Sequence, residues 1–147
     1  MRISAKARYG LSAMVYFAMR YPTQTKFTVL EIAESLKISK IYLEQVFTRL
    51  KMEGIVQATK GPQGGYSLKR APAEITVYEI LYATETSLFD ATPETLGEQA
   101  PYMEQVMMED VFHVLDDTVQ RTLSAITLEQ LAQKAIEKST TGYMYYL

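Results

Sequence analysis

A mainly α chain with one small β-hairpin is what the sequence predicts. Three observations carry that reading. Apolar residues recur at helical spacing between start and stop signals, a glycine cluster joins two short runs rich in β-branched and aromatic residues, and the charge divides along the chain.

The first helix starts near Ser4, repeats Ala7, Leu11, Met14, Val15 and Ala18 on one side, and is stopped by Pro22. The second opens with Thr28 and Glu31 as a capping box, turns Val29, Ile32, Ala33 and Leu36 inward, and gives way at Lys37 and Ile38. Ser39 caps a third helix with Leu43, Val46, Phe47 and Leu50 at the i, i+3, i+4, i+7 positions, and Gly54 stands where a C-terminal cap belongs. Two short helices joined by about three residues make a helix-turn-helix.

Beyond Gly54 the period changes. Residues 55–60 and 66–70 read as two strands, joined by Gly-Pro-Gln-Gly-Gly. Three of the seven glycines, Gly61, Gly64 and Gly65, fall within five positions here, as a tight hairpin tip requires. A hairpin directly after a helix-turn-helix is a wing, so residues 1–85 are read as a winged helix-turn-helix domain.

The second half supplies assembly. Thr76 and Glu79 form a capping box for a short helix, and residues 93–97 read as loop. From 101 to 125, Met103, Val106, Met107, Val111, Val114, Leu115, Val119 and Leu123 cover more than one helical face. So broad an apolar surface is expected to be buried on two sides, one against its own domain and one against a second subunit. Residues 86–147 are therefore read as a long dimerisation helix with a C-terminal helix and tail, and Met107, Val111, Val114, Leu115 and Val119 as candidate dimer contacts. Thr127 and Gln130 fit a capping box for a last helix to about Lys138, and the tail GYMYYL is expected to pack on one subunit or the other.

Composition narrows the function classes. A chain of 147 residues, 48% hydrophobic and 22% charged, buries one sizeable core. No stretch reaches the length of a membrane span, and the N-terminal pattern, with Lys6 and Arg8 and a break at Arg20, lacks the apolar core of a signal peptide. A cytoplasmic location is expected. The absence of cysteine excludes disulfides, thiolate metal sites and a cysteine nucleophile. With one histidine, no phosphate loop and no nucleophile elbow, nothing points to an enzyme.

The net charge of -2 conceals a division. Residues 1–70 hold twelve Lys and Arg against four Glu, a net +8, whereas the remainder holds three against thirteen, a net -10. The first half has the electrostatics of a nucleic-acid-binding domain. A major groove admits one α-helix, so the polar face of the third helix, with Ser39, Lys40, Ile41, Glu44, Gln45 and Thr48, is the candidate base-reading surface. Glu44 cannot bind phosphate but can accept a hydrogen bond from cytosine N4; alternatively it is a solvated charge paired with Lys40 one turn earlier. Lys60, Lys69, Arg70, Arg2 and Lys6 are candidate phosphate contacts, and Thr28 and Arg49 complete the candidate DNA-binding set. The alternative from another class is a winged-helix protein-interaction module, for which Ile41 is the one hint.

The stretch SKIYLEQVFTRLKMEGIVQATKGPQGGYSLKR, preceded by MRISAKARYG, resembles the bacterial Rrf-two family of transcription regulators over residues 1–85, with Tyr42, Leu43, Gly61, Gly64, Gly65, Tyr66 and Leu68 falling in the family's pattern. The resemblance implies that Ser39, Tyr42, Glu44 and Gln45 approach the major groove of double-stranded DNA. It also implies that residues 60–65, including Gly61, Gly64 and Gly65, set the wing against the minor groove or backbone, and that a homodimer acts as a repressor. Cluster-binding members carry three cysteines after the fourth helix, where this chain has SLFDATPETLGEQAP, so no iron-sulfur cluster or other cofactor is expected. Asp90, Glu94, Glu98 and Glu104 are read as solvent-facing carboxylates rather than metal ligands, and His113 as a satisfied or half-buried histidine in an apolar run. The effector, whether a small metabolite in the dimer cleft, a partner protein or none, is left open.

Overall fold

The computed structural model describes the backbone of residues 1–145 and the side-chain surroundings of residues 1–140. Helix α1 (Ala5–Arg20) begins where Ser4 accepts a hydrogen bond from the Ala7 N–H, and it buries Ala7, Ala13, Met14, Phe17 and Ala18. Helix α2 (Val29–Leu36) opens on a reciprocal capping box. The Glu31 N–H donates to Thr28 Oγ1 at 3.1 Å, and the Thr28 N–H donates to Glu31 Oε2 at 2.6 Å. Two of the orphan donors at the helix start are thereby satisfied. The helix ends at Lys37 in the left-handed conformation, φ 58°.

Helix α3 (Lys40–Met52) is capped by Ser39, and its Leu43, Val46, Phe47 and Leu50 are fully buried. These side chains share one core with Met14 and Phe17 of α1 and Ile32 of α2. Each contributes on the order of 1.5–3 kcal/mol by leaving water, which fixes the outward face of α3 as firmly as the inward one. Strands β1 (Val56–Thr59) and β2 (Gly65–Leu68) pair antiparallel with Val56 opposite Leu68 and Thr59 opposite Gly65. Phe27, just before α2, adds a third lane: its N–H donates to the Tyr66 carbonyl at 2.9 Å and its carbonyl accepts from the Tyr66 N–H at 2.7 Å. The outer edge of β2 is thus tied to the segment that enters α2.

A single 3-10 turn (Pro72–Glu74) leads to α4 (Val77–Thr84), with Thr76 and Glu79 forming the capping box read from the sequence. After a loop, α5 (Pro101–Met107) runs through a π-helical stretch (Met108–Phe112) into α6 (His113–Ser124). Helix α7 (Leu128–Tyr145) folds back along α1 and sets Leu128 and Ala132 in the main core. It runs beyond Lys138, where the sequence was expected to stop it, and the packing of the tail from Gly142 lies outside the described residues.

Glu104 and His113 both depart from the sequence reading. Glu104 is not a solvent-facing carboxylate; it is buried, and accepts hydrogen bonds from the Thr95 N–H at 3.0 Å and the Leu96 N–H at 2.6 Å. Backbone donors in a turn need an acceptor when water is excluded, and the first turn of α5 supplies it. His113 is exposed on the single chain rather than half-buried. The long helix, expected to be covered on two sides, is covered on one within the chain: Leu123 packs with Ala7, Val77 and Leu81, whereas Val106, Val111, Val114 and Leu115 stand exposed.

Candidate nucleic-acid interface

With its inner face held by the core, α3 turns Lys40, Ile41, Glu44, Gln45, Thr48 and Arg49 to solvent. Lys40 and Glu44 lie 3.7 Å apart across one turn, both side chains about half exposed. Such a pair is worth a few tenths of a kcal/mol and is easily broken by a better partner for either group. Thr48 donates its hydroxyl hydrogen to the Glu44 backbone carbonyl at 2.8 Å. Ser39 and Thr28 have their side-chain oxygens engaged as helix caps, accepting from Tyr42 N–H at 3.4 Å and Glu31 N–H at 3.1 Å.

Tyr42 is half-buried and packs between α1 and α3. Its ring meets Tyr9 edge-on, centroids 5.4 Å apart, and the Lys6 ammonium lies 5.8 Å from its centroid. The contact brings the basic start of α1 alongside the recognition surface. The segment carrying the exposed Arg2 is tethered further by the Ser4 N–H, which donates to Glu85 Oε1 at 2.7 Å. Neither Tyr9 nor Glu85 was picked out from the sequence. Glu85 is 81 positions from its partner, and no local pattern reports such a bond.

The wing exposes Lys60 beside its tip and Lys69 at its base, where the Lys69 N–H donates to the Ile55 carbonyl at 3.1 Å. Gly61 has φ 101° with open space around it, as a free turn residue should. Gly64 and Gly65 make their close approaches to the chain's own backbone. A Cβ on Gly64 would lie 2.4 Å from the Thr59 carbonyl oxygen, and one on Gly65, at φ 150°, would lie 2.7 Å from that of Phe27. Only glycine permits the tight tip at Gly64 and, at Gly65, the seam between wing and body. Lys26, also missed, donates to the Gln63 carbonyl at 3.2 Å and braces the tip.

Arg70 does not stand free as a phosphate contact. Its guanidinium donates to Glu79 Oε1 at 2.5 Å and to the Glu74 carbonyl at 2.7 Å, locking the return strand to α4. Burial alone would raise the Glu79 carboxyl. Hydrogen bonds from Arg70 and the Thr76 N–H, with the charge of Arg70, outweigh it and hold the group below the usual carboxylate range.

Residues 3–134 match the Rrf2 family, described as an iron-dependent transcriptional regulator. The chain belongs to the Rrf2 family. Among Rrf2 relatives, it is 34% identical over 131 residues to the HTH-type transcriptional regulator IscR of Photorhabdus laumondii, covering 89% of this chain and 79% of the relative. It is 31% identical to CymR of Bacillus subtilis over the whole of both chains. The solved structure of that CymR, a global cysteine regulator, superimposes with a TM-score of 0.70 at 30% identity over 91% of this chain and 98% of its own. The IscR of T. potens gives 0.71 at 30% identity over 99% and 97%. The family and these relatives are transcriptional regulators, not enzymes, so DNA-binding transcription regulation is the function class.

The family's description names iron, for which this chain's donors are few. No cysteine exists anywhere in the chain to supply a thiolate. Asp90, Glu94 and Glu98 are exposed, Glu104 is engaged by backbone N–H groups, and no group of three or more metal-binding side chains comes together among the described residues. A thiolate-held cluster does not fit this donor set. No helix of the described residues is long and apolar enough to cross a membrane.

Proposed function

We propose that this Rrf2 member is a sequence-specific repressor that binds operator DNA as a homodimer in the cytoplasm, without a thiolate-held cluster. Residues 1–85 form the DNA-binding unit, and residues 86–147 assemble the dimer, with α7 folded back onto α1. The observation that carries the reading is the joint display of an exposed polar α3 face and a lysine-bearing wing on the half of the chain whose net charge is +8. An α3 laid in the major groove presents Glu44 and Gln45 to base edges, with Ser39 and Lys40 at the entering end. Arg2, Lys6, Arg49, Lys60 and Lys69 meet phosphates, which position without specifying. Tyr42 acts by positioning, since its ring is occupied by Tyr9 and Lys6. Thr28 contributes a helix start near the backbone, and Gly61, Gly64 and Gly65 shape the wing.

The dimer follows from the uncovered apolar stripe of α5 and α6. Val111, Val114 and Leu115, flanked by Met107 and Val119, can meet the same stripe on a second copy about a twofold axis. Two recognition helices then face paired half-sites. The experiment is recovery of genomic DNA on the purified full chain, followed by transcript measurement in cells lacking it. Palindromic sites, with neighbouring genes expressed more in its absence, are expected. Falling expression would make it an activator, and no enriched site would remove the DNA reading.

A further inference from the structure

Ile41 has no structural task. It sits in the first turn of α3 and is 69% exposed, whereas the apolar residues of the same helix that hold the core are fully buried. An isoleucine in a helix also gives up χ1 freedom that a straight-chain residue would keep, so nothing in the helix itself asks for one there. We propose that Ile41 is a specificity-determining residue that packs on the 5-methyl group of a thymine in each half-site. The inference rests on the DNA reading above, with α3 in the major groove.

The surroundings favour a base over a protein partner. A protein-docking surface needs contiguous apolar area, and Ile41 is bordered by Lys40, Glu44 and Gln45, one of them a cation and one an anion. The other highly exposed apolar residue of the helix, Met52, lies eleven positions on, about 16 Å along the axis, with Gln45 and Thr48 between them. The two do not join into a patch. In the major groove, by contrast, a single apolar group has a single apolar target, because thymine alone among the bases presents a methyl there. Residues in the first turns of a recognition helix are the ones that reach base edges, and Ile41 shares its outward face with Glu44 and Gln45. A carboxylate suited to cytosine beside a branched alkyl suited to thymine gives two adjacent, chemically different readings.

The test uses the full chain and an operator selected from random duplexes. Each thymine is replaced in turn by deoxyuridine, which removes the methyl and keeps every hydrogen-bonding group. For the unmodified protein, one thymine per half-site should be sensitive, its loss weakening binding by about fourfold, the worth of one buried methyl group. Ile41→Ala should bind the parent operator more weakly and show no difference between thymine and deoxyuridine at that position. Because Ile41 is outside the core, the variant should unfold at the same denaturant concentration as the parent. Operator binding that is indifferent to every methyl, or a methyl effect that survives in Ile41→Ala, overturns the inference and leaves the DNA reading standing. Unchanged operator affinity in Ile41→Ala overturns it likewise and points to a protein surface. Failure to select any duplex removes the DNA reading and this inference together.

Discussion

Replacing Leu115 by glutamate should split the dimer while leaving each chain folded. Complete burial of a leucine is worth about 1.5–3 kcal/mol, and 56% of Leu115 is still open to solvent on the single chain. Covering it contributes about 1 kcal/mol per copy, and twofold symmetry doubles this to about 2 kcal/mol per dimer. That loss alone weakens association by about thirtyfold, before the cost of bringing two carboxylates into an apolar seam with Val111 and Val114. Sedimentation equilibrium over the micromolar range reads the result. The unmodified chain should give about twice 16.7 kDa and Leu115→Glu a mass near the single value. The unfolding transition of the separated chains should be unaffected, since Leu115 is not part of either internal cluster. A folded monomer for the unmodified chain would refute the reasoning, as would a Leu115→Glu dimer of undiminished strength.

Three further outcomes follow from particular contacts. Lys60→Ala should weaken binding to operator and random duplex alike and make the logarithmic salt slope shallower by about one, because Lys60 is exposed and forms no ion pair among the described residues; an unchanged slope in a salt titration would remove it from the phosphate contacts. Gly65→Ala should destabilise the fold by about 2–4 kcal/mol in urea unfolding, since its φ of 150° and the Phe27 carbonyl 2.7 Å from the new Cβ combine backbone strain with a clash; a loss within about 0.5 kcal/mol would show the wing seam to be slack. Glu79 has a folded-state pKa below the ordinary value, so its contribution is present above the unfolded pKa of about 4.3 and is lost as pH falls through the folded one. The stability gap between the parent and Glu79→Gln should accordingly be widest at neutral pH and close at strongly acid pH in parallel urea titrations, and a gap independent of pH would contradict the Arg70 pairing.

The helices of residues 1–85 were legible because their signals are local. Thr28 with Glu31 and Thr76 with Glu79 are capping boxes spaced by three residues, and both form with the reciprocal bonds that the spacing implies. The hairpin was legible from the change of period and the glycines, but the reason for Gly65 was not. Its close neighbour is the Phe27 carbonyl, 38 positions earlier, and sequence spacing carries no trace of that approach. Arg70 looked like another member of a basic run, and only the folding of α4 beside β2 reveals that Glu79 takes it. Glu104 was misread for the opposite reason: a polar stretch suggested solvent, whereas two backbone N–H groups in the preceding turn required a buried acceptor. Helix α7 runs past Lys138 although Ser139 and Thr140 have modest helix propensity, and their hydroxyls donate back to the Ile136 carbonyl within the helix. For the recognition face, the inward residues fixed the outward ones, so Lys40, Ile41, Glu44, Gln45 and Thr48 were assigned to one exposed surface by periodicity alone.

The central claim is that α3 reads bases, and Glu44 tests it most directly. In competition binding against a set of all single-base-pair variants of the selected operator, Glu44→Ala should relax discrimination at one base pair per half-site by roughly 1–3 kcal/mol. Affinity for random duplex should hold or rise, because the lost carboxylate repels phosphate and its neighbour Lys40, 3.7 Å away, is released to bind it. If the preference at every position is the same with and without the carboxylate, Glu44 serves only its ion pair with Lys40 and the base-reading role of this face is contradicted.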